Sequence, residues 1–158
     1  MSRRKFLQQS SVLIGAGALA AALHNKTFAI LQHRIAPSDQ LNIGAIGIKG
    51  MGWANVKAAL KVAGVNLVAV CDVDTTVIDS RLKELAALNV DASKIKIYND
   101  YRKLLEQKDI DAVIIGTPDH WHCLPLVYAC QAGKDVFVEK PLANTIEECN
   151  LMVKAARK

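Results

Sequence analysis

The sequence predicts an α/β fold in which a parallel sheet carries helices on both faces, a doubly wound arrangement. Three observations support this prediction. From Leu41 onward, short segments rich in valine and isoleucine alternate with longer amphipathic segments. The short segments lack the alternating polarity of strands with one face in water, which indicates strands buried on both faces. A turn with three glycines follows the first short segment and marks a change from strand to helix.

Each predicted element rests on its own local pattern, and five βα units in succession imply parallel strands with right-handed crossovers. Strands are predicted at residues 42–47, 65–72, 94–98, 111–118 and 135–140. Helices are predicted at residues 51–62, 75–88, 100–107, 121–132 and 145–158. The last helix has a defined start, because Thr145 and Glu148 have the spacing of a capping box. Gly133 follows the fourth helix, where a left-handed glycine commonly ends a helix.

Composition and charge narrow the class of function. With 158 residues and 51% apolar side chains, the chain can bury a sizeable core and is not expected to be disordered. The formal net charge of +5 arises at the start of the chain: the first 40 residues carry five basic side chains and one acidic, which leaves fifteen basic and fourteen acidic side chains. A nearly neutral body lacks the clustered basic surface of a nucleic-acid binder, so no nucleic-acid partner is expected.

The N-terminal segment is predicted to be an export signal of the twin-arginine type. Arg3 and Arg4 precede a weakly apolar run at 11–23, and "TFA" ends at Ala29, a small-residue cleavage site. The alternative is a membrane anchor, but the run at 11–23 would rise only about 20 Å as a helix, against a hydrocarbon core of about 30 Å. The predicted partner is therefore the twin-arginine export machinery, and the predicted location is the periplasm.

The four cysteines are predicted to be unpaired thiols, although an oxidising periplasm would permit disulfides. Cys71 ends an apolar, strand-like run. Cys123 and Cys130 lie seven residues apart on one predicted helix, which places their Cα atoms about 10 Å apart, beyond the reach of a disulfide. The favoured interpretation is that all four are small buried apolar side chains.

The glycine-rich turn has the setting of a dinucleotide site. Open parallel sheets bind ligands at the carboxyl ends of their strands, and this turn joins the first strand to the first helix. Gly47 allows a tight exit from the strand, and Gly52 allows the helix to pack close to the sheet. Backbone N–H groups at the helix start are expected to face a diphosphate, which the helix dipole also favours. The predicted cofactor-binding residues of the turn are Gly47, Ile48, Lys49, Gly50, Met51 and Gly52.

Asp72 is predicted to bind the adenine ribose of the dinucleotide. It closes the second strand twenty residues after Gly52, where an acidic side chain can accept hydrogen bonds from both ribose hydroxyls. Its charge would repel a 2′-phosphate, and Val73 and Asp74 supply no cation, so NAD is expected rather than NADP. One departure from the usual spacing is Lys49, which stands where a second glycine is common. Its side chain must point away from the diphosphate or lie along it as a cation.

Two further strand ends carry a specific resemblance. "GTPDHWH" at 116–122 closes the fourth strand and "EKP" at 139–141 closes the fifth, so both should open on the same cleft as the glycine turn. The glycine turn, Asp72 and these two stretches, in this order and spacing, resemble the N-terminal domain of the Gfo/Idh/MocA oxidoreductase family, named for glucose-fructose oxidoreductase and inositol dehydrogenase. The resemblance covers residues 41–158 and implies a Rossmann-type sheet that binds NAD.

The resemblance also implies roles for single residues. Thr117 and Pro118 are expected to line the dinucleotide groove, and Glu139 is expected to lie by the nicotinamide ribose. Lys140 is expected to point to the reacting carbon of a sugar or cyclitol and to help move the hydroxyl proton while a hydride goes to the nicotinamide. The alternative for Lys140 is a solvated surface lysine after a strand.

The two histidines after the fourth strand raise a metal hypothesis, because a His-x-His pair can chelate zinc. A catalytic zinc site usually needs three protein ligands, and Cys123 is the only nearby candidate for the third, so no metal is predicted. His120 is expected to make a hydrogen bond at the helix start. His122 is expected to contact the cofactor or substrate and is predicted to be catalytic.

The predicted domains are the export signal at 1–29, a linker at 30–40 and an incomplete NAD-binding domain at 41–158. In the family that the chain resembles, a second domain supplies most of the substrate pocket, so the chain is expected to be the cofactor part of a longer enzyme and inactive alone. The predicted function is oxidation of a sugar or cyclitol hydroxyl by hydride transfer to NAD. The alternatives are an NAD-dependent glycosidase that oxidises its sugar transiently and a non-catalytic dinucleotide-binding module. The identity of the sugar and any homo-oligomer of the longer protein are left open.

Overall fold

The computed structural model describes residues 36–88 and 90–157, and within these ranges five parallel strands form one sheet. Their spatial order is 3-2-1-4-5, and every neighbouring pair is parallel. This is the strand order of a Rossmann-type sheet, so the predicted fold class is confirmed. The strands are β1 (Leu41–Ile46), β2 (Val65–Cys71), β3 (Lys96–Tyr98), β4 (Ala112–Ile115) and β5 (Asp135–Val138).

Five α-helices in the described residues connect or follow these strands, each within three residues of its predicted bounds. They are α1 (Gly50–Ala59), α2 (Thr75–Ala87), α3 (Tyr101–Leu105), α4 (Cys123–Gln131) and α5 (Ile146–Ala156). The strand predicted at 94–98 is shorter than expected, because Ala92–Lys94 forms a 3₁₀ turn capped by the side chain of Asp91. A second 3₁₀ turn, Asp119–Trp121, leads into α4.

Polar side chains fix where several helices begin. The Asp74 carboxylate accepts a hydrogen bond from the Thr76 N–H over 2.9 Å at the start of α2. At the start of α5, the Thr145 hydroxyl accepts from the Glu148 N–H over 3.1 Å, and the Glu148 side chain accepts from the Thr145 N–H. The predicted capping box is therefore confirmed. Gly133, with a φ of +69°, ends α4 in the left-handed conformation that was predicted for it.

The core lies on both faces of the sheet, as the continuous apolar strands predict. Ile43 of β1 points to the face covered by α1 and α2, where it packs in a cluster with Trp53 and Leu85. Ile46 points to the opposite face, which α3, α4 and α5 cover, and joins a cluster with Met152. Because both faces are covered, ligands can reach this sheet only at the ends of its strands.

The predicted export signal and most of the predicted linker lie outside the described residues, and both stay predictions. No helix of the described part of the chain is both long enough and apolar enough to cross a bilayer. The four cysteines are free thiols, and Cys123 and Cys130 lie on α4 as predicted. Cys71 and Cys123 are buried, whereas Cys130 and Cys149 are half-buried.

Candidate functional site

The carboxyl ends of the strands border a cleft of about 880 Å³. It lies where the strand order reverses between β1 and β4, the place where open α/β sheets bind their ligands. Six of the predicted contact residues line this cleft: Gly47, Lys49, Gly50, Asp72, Thr117 and Pro118. The other predicted residues lie outside its lining: Ile48, Met51, Gly52, His122, Glu139 and Lys140.

The glycine turn is shaped by contacts that leave no room for side chains. Gly47 has a φ of +76°, and its N–H donates a hydrogen bond to the carbonyl oxygen of Cys71 over 2.8 Å. A Cβ atom on Gly52 would lie 2.1 Å from the Gly47 oxygen, and one on Gly116 would lie 2.2 Å from the Gly52 Cα. The start of α1 therefore meets the ends of β1 and β4 backbone to backbone, which confirms the close packing predicted for Gly52.

Lys49 departs from the usual glycine spacing for a backbone reason. Its φ of −97° and ψ of 153° are an ordinary extended conformation, and its exposed side chain borders the cleft. The next residue, Gly50, has a φ of +53°. Because only position 50 needs the left-handed conformation, glycine is favoured there and a side chain is tolerated at position 49. The turn thereby places a cation beside the start of α1.

The Asp72 carboxylate is held in place by two backbone N–H groups. Its Oδ2 accepts a hydrogen bond from the Ile48 N–H over 2.9 Å, and its Oδ1 accepts one from the Asp74 N–H over 3.1 Å. The Asn99 side chain donates to the Asp72 carbonyl oxygen over 3.0 Å. Since a carboxylate offers about four acceptor positions, two of them remain for hydroxyl donors in the cleft.

The Cys71 thiol also borders the cleft, at the end of β2. Burial, and then the charges of Asp72 and Asp100, raise the pKa of this thiol to about 12. A thiol with so high a pKa stays protonated near neutral pH and is a poor nucleophile. Cys71 is therefore a small apolar wall of the cleft, in line with the predicted role of the cysteines.

His122 lies beneath the cleft and ties two loops together. It is 1% exposed, with Nε2 placed 2.8 Å from the Thr117 carbonyl oxygen and Nδ1 placed 2.8 Å from that of Pro141. Both ring nitrogens therefore face carbonyl oxygens, which only accept hydrogen bonds. The catalytic contact predicted for His122 stays a prediction. The observed contacts favour a positioning role, in which the ring joins the loop after β4 to the loop after β5.

His120, the other histidine of the pair, is exposed at the cleft, and its ring Nδ1 lies 3.4 Å from the Asp119 carboxylate. The backbone N–H of His120 donates a hydrogen bond to the same carboxylate over 2.8 Å, a contact at the start of the 3₁₀ turn. In residues 36–88 and 90–157, no group of three or more histidine, cysteine or acidic side chains is placed to hold a metal ion.

The Glu-Lys-Pro stretch after β5 is anchored by its glutamate. Oε1 of Glu139 accepts a hydrogen bond from the Asn55 side chain of α1 over 2.6 Å, and Oε2 accepts one from the Lys140 N–H over 3.0 Å. These two hydrogen bonds, the one from Asn55 first, lower the pKa of the Glu139 carboxyl below its usual range. The Lys140 side chain is exposed, at the end of a loop that Glu139 and His122 both hold.

Comparison with known sequences decides the family. The model of an oxidoreductase family with an NAD-binding Rossmann fold, Gfo/Idh/MocA, matches residues 41–158. The chain belongs to the Gfo/Idh/MocA family. NAD is the cofactor of this domain, as the glycine turn and Asp72 predict.

Individual proteins also match the chain in sequence and in fold. Glycosyl hydrolase family 109 protein 1 of Shewanella sp. (strain ANA-3) is 39% identical over 127 residues, which are 78% of this chain and 28% of the relative. The structure of myo-inositol 2-dehydrogenase from Lactobacillus plantarum is 30% identical with a TM-score of 0.65, over 75% of this chain and 33% of that one. Scyllo-inositol dehydrogenase from Lactobacillus casei, solved with NAD(H) and scyllo-inositol, is 26% identical with a TM-score of 0.63, over 75% of this chain and 34% of that one.

Four residues after β3 also border the Gfo/Idh/MocA cleft: Asn99, Asp100, Tyr101 and Arg102. They were not predicted from the sequence, although they directly follow the third predicted strand and the rule that ligands gather at strand ends applies to them equally. The Asp100 carboxylate accepts hydrogen bonds from the Arg102 guanidinium at 2.8 to 3.1 Å. Hydrogen bonds from Arg102 lower the pKa of Asp100, so its charge offsets that of the guanidinium at the cleft.

The residues of this Gfo/Idh/MocA site fit NAD. α1 begins at Gly50, its N-cap residue Lys49 makes no side-chain capping bond, and the Lys49 side chain borders the cleft. A helix start beside a cation attracts a diphosphate. Asp72 keeps acceptor positions for two ribose hydroxyls, and its charge disfavours a further phosphate on that ribose.

Proposed function

We propose that this chain is the NAD-binding part of an enzyme that oxidises a hydroxyl-bearing carbon of a sugar or cyclitol. The observation that carries the proposal is the cleft, where the glycine turn and Asp72 face the loop of Thr117 and Pro118. Scyllo-inositol in the structure of a relative supports a substrate rich in hydroxyl groups. Because the chain spans 34% of that relative, we infer that substrate-binding residues belong to a longer protein.

The chain's own residues would divide the recognition of the cofactor among them. N–H groups at the start of α1, with the Lys49 ammonium beside them, would hold the diphosphate. The Asp72 carboxylate would accept hydrogen bonds from the adenine ribose. Thr117 and Pro118 would form the opposite wall, and Glu139, which Asn55 holds in place, would stand toward the nicotinamide ribose.

Lys140 would handle the proton of the reaction. When bound, NAD supplies an acceptor for the hydride that leaves the substrate carbon. As the C–H and O–H bonds break and a carbonyl forms, Nζ of Lys140 would receive the hydroxyl proton. The Glu139 contact to the Lys140 N–H and the His122 contact to Pro141 would keep this lysine in place during the step.

Titration of this chain with NAD and NADP by calorimetry tests the cofactor site. The wild-type chain is expected to bind NAD more tightly than NADP. Asp72→Asn removes a charged acceptor and is expected to weaken NAD binding about tenfold. It should also reduce the ratio of the affinity for NAD to the affinity for NADP. Asp79→Asn, an exposed change on α2, serves as the matched control. Absence of NAD binding, or an unchanged affinity in Asp72→Asn, would overturn the proposal.

A second candidate function is cleavage of a glycoside by transient oxidation, and the 39% identity to a glycosyl hydrolase family 109 protein favours it. Oxidation of a ring hydroxyl to a carbonyl acidifies the neighbouring C–H, so a base can remove that proton while the leaving group departs. Water would then add to the resulting double bond, and bound NAD would supply the reduction of the carbonyl, so that the cofactor undergoes no net change. In the longer protein, release of an aryl group from a model glycoside without net NADH would favour this candidate, and NADH accumulation would favour net oxidation.

A non-catalytic dinucleotide-binding module is the remaining alternative for the longer protein. Lys140→Ala separates it from both enzymes, since Lys140 is exposed and its replacement should leave the fold intact. Loss of turnover with unchanged NAD affinity would support the proposed proton transfer. Turnover equal to that of the wild type would remove Lys140 from the mechanism.

We also propose that the protein is exported by the twin-arginine route and works in the periplasm. Arg3, Arg4 and the apolar run that follows support this proposal. Export in a folded state suits a protein that takes up NAD before it crosses the membrane, because free NAD should be scarce outside. Replacement of both arginines by lysine should retain the protein in the cytoplasm, as measured by cell fractionation, and unchanged export would contradict the proposal.

A further inference from the structure

Ile48 links the glycine turn to two side chains from other parts of the fold. Its N–H donates a hydrogen bond to the Asp72 carboxylate over 2.9 Å, and its carbonyl oxygen accepts one from Nε of Arg81 over 3.0 Å. The Ile48 residue is fully buried, at 0% exposure. The backbone N–H and C=O of Ile48 are therefore both hydrogen-bonded to side chains, and not to the backbone of a neighbouring strand or helix.

Arg81 is itself held by two partners on α1 and α2. Its guanidinium carbon lies 5.6 Å from the centroid of the Trp53 ring, a cation–π distance, and its Nη1 pairs with Oε1 of Glu84. Oε2 of Glu84 accepts a hydrogen bond from Nε1 of Trp53 over 2.6 Å. Arg81, Glu84 and Trp53 thus form a closed triangle, and the Nε of Arg81 extends from it to the Ile48 carbonyl.

Charge and burial make this triangle a stable support. Trp53 is 2% exposed in the core, and the hydrogen bond that it donates lowers the pKa of the Glu84 carboxyl. Glu84 therefore stays ionised at neutral pH and pairs with the Arg81 guanidinium. A planar guanidinium with donors on several edges can serve the carboxylate and the carbonyl at the same time, which an ammonium group cannot do with the same geometry.

We propose that Arg81 is a positioning residue for the cofactor diphosphate, an inference that rests on the proposed binding of NAD in the cleft. The Ile48 carbonyl and the Lys49 N–H belong to one planar trans peptide, so they point in opposite directions. By drawing the carbonyl toward α2, Arg81 turns the Lys49 N–H away from α2. Arg81 thereby fixes the direction of a donor at the start of α1 without itself lining the cleft.

A purely structural role makes a different prediction. If Arg81 only joined α1 to α2, its loss would loosen the whole site and weaken every ligand alike. If Arg81 orients the glycine turn, its loss should weaken ligands that carry a diphosphate and spare those that do not. NAD and ADP carry a diphosphate, whereas adenosine offers only the ribose and base.

The test is calorimetric titration of the wild-type chain, Arg81→Ala and Arg81→Lys with NAD, ADP and adenosine. Arg81→Ala is expected to weaken NAD and ADP about tenfold, the usual scale for one hydrogen bond from a charged group, and adenosine less than about twofold. Arg81→Lys keeps the positive charge but lacks the several N–H donors of the guanidinium, so its affinity for NAD and ADP should lie between those of Arg81→Ala and the wild type. Lys83→Ala, an exposed cation on the same helix, is the matched control and should leave all three affinities unchanged.

Each outcome decides between these roles. Equal weakening of all three ligands, or unchanged NAD and ADP affinity in Arg81→Ala, would overturn the positioning role. Failure of the wild-type chain to bind NAD would instead refute the proposed function, and the positioning role with it. Should Arg81→Ala not fold, Glu84→Gln keeps the side-chain volume and withdraws one support of Arg81, and it should show the same selectivity for diphosphate ligands at a smaller amplitude.

Discussion

The two sides of the cleft are built in opposite ways. On the β1 side, close backbone packing limits the glycine turn, because Gly47 and Gly52 meet each other and Gly116, which follows β4, at distances that exclude a Cβ atom. The side chains of Asp72 and Arg81 hold only Ile48 within this turn. On the side of β4 and β5, side chains fix the loops: the ring of His122 bridges two carbonyl oxygens, and the Glu139 carboxylate joins its loop to α1. Gly47, Gly52 and Gly116 tolerate no added atom, whereas the second side depends on particular side chains being present.

This difference predicts how each side responds to change. Where backbones pack this closely, even one added carbon atom on a glycine should cause a large loss of stability, since a clash with a carbonyl oxygen cannot be relieved by a change of rotamer. Side-chain hydrogen bonds fail in steps, because each donor can be removed or titrated separately. Glycine positions on the first side should therefore show the largest effects of substitution, and titratable groups on the second side should show graded ones.

The largest expected effect follows from Gly52→Ala. The new Cβ would lie 2.1 Å from the Gly47 oxygen, so α1 must move from the sheet, and the free energy of unfolding should fall by about 3 kcal/mol or more. Urea unfolding followed by circular dichroism measures this loss. Gly133→Ala is the control, since Gly133 has a φ of +69° but no atom within 4 Å of a new Cβ, and it should cost only about 1 kcal/mol. Similar losses in the two variants would contradict the account of the first side.

The second effect concerns His122→Ala on the opposite side. This change removes the buried ring that lies between the Thr117 and Pro141 carbonyl oxygens, and we expect a loss of about 2 kcal/mol in unfolding free energy. His120→Ala, in the same loop but exposed, should change stability by less than about 0.5 kcal/mol. The same urea titration compares the two variants, and equal stabilities would remove His122 from the support of these loops.

A smaller, graded effect is expected from the titration of Glu139. Its pKa is lowered in the fold, chiefly by the hydrogen bond from Asn55, so the contact is complete above the ordinary carboxyl value of 4.5. As the pH falls through the lower folded value, protonation should release Asn55, and stability from this contact is lost. The Asn55 side-chain amide signal in NMR, followed from pH 7 to about 3, measures the release.

The matched controls for this titration are Glu139→Gln, which should abolish the transition, and Glu147→Gln, an exposed change that should preserve it. An Asn55 signal that moves with pH in Glu139→Gln as it does in the wild type would assign the transition to another group.

The smallest effect is expected at Cys71, on the first side of the cleft. With a pKa of about 12, raised mainly by burial, the thiol should be ionised in about one molecule in ten thousand at pH 8. Iodoacetamide should therefore label the half-buried Cys149 of the native chain before Cys71, and urea should remove the difference. Peptide mass spectrometry follows both sites, and early labelling of Cys71 in the native chain would be the contrary result.

Local patterns were sufficient to predict most of the fold. Continuous apolar strands indicated a sheet covered on both faces, and the Thr145 and Glu148 pair located the start of the last helix. The third strand was predicted two residues too long, because Lys94 and Ile95 have the same Lys-Ile sequence as residues 96–97 but form the end of the capped turn Ala92–Lys94. Turn geometry at that point depends on the Asp91 side chain, which periodicity does not detect.

The first side of the cleft was predictable because its residues are close in sequence or lie at strand ends. Gly47, Gly50 and Asp72 follow from spacing along two adjacent strands. The supporting contacts were not predictable in this way. Arg81 contacts Ile48 across 33 residues and Asn55 contacts Glu139 across 84, and no local pattern encodes side-chain packing between such distant elements.

The extended backbone at Lys49 makes this position a handle for protein engineering. Every ordinary amino acid except proline readily adopts its φ of −97° and ψ of 153°, while the neighbouring Gly50 carries the unusual torsion angle. A single substitution at position 49 can thus change the charge beside the cleft without changing the backbone conformation of the turn. Natural selection acting on this position would tune the attraction for anions in small increments, a freedom that a glycine in the same place would remove.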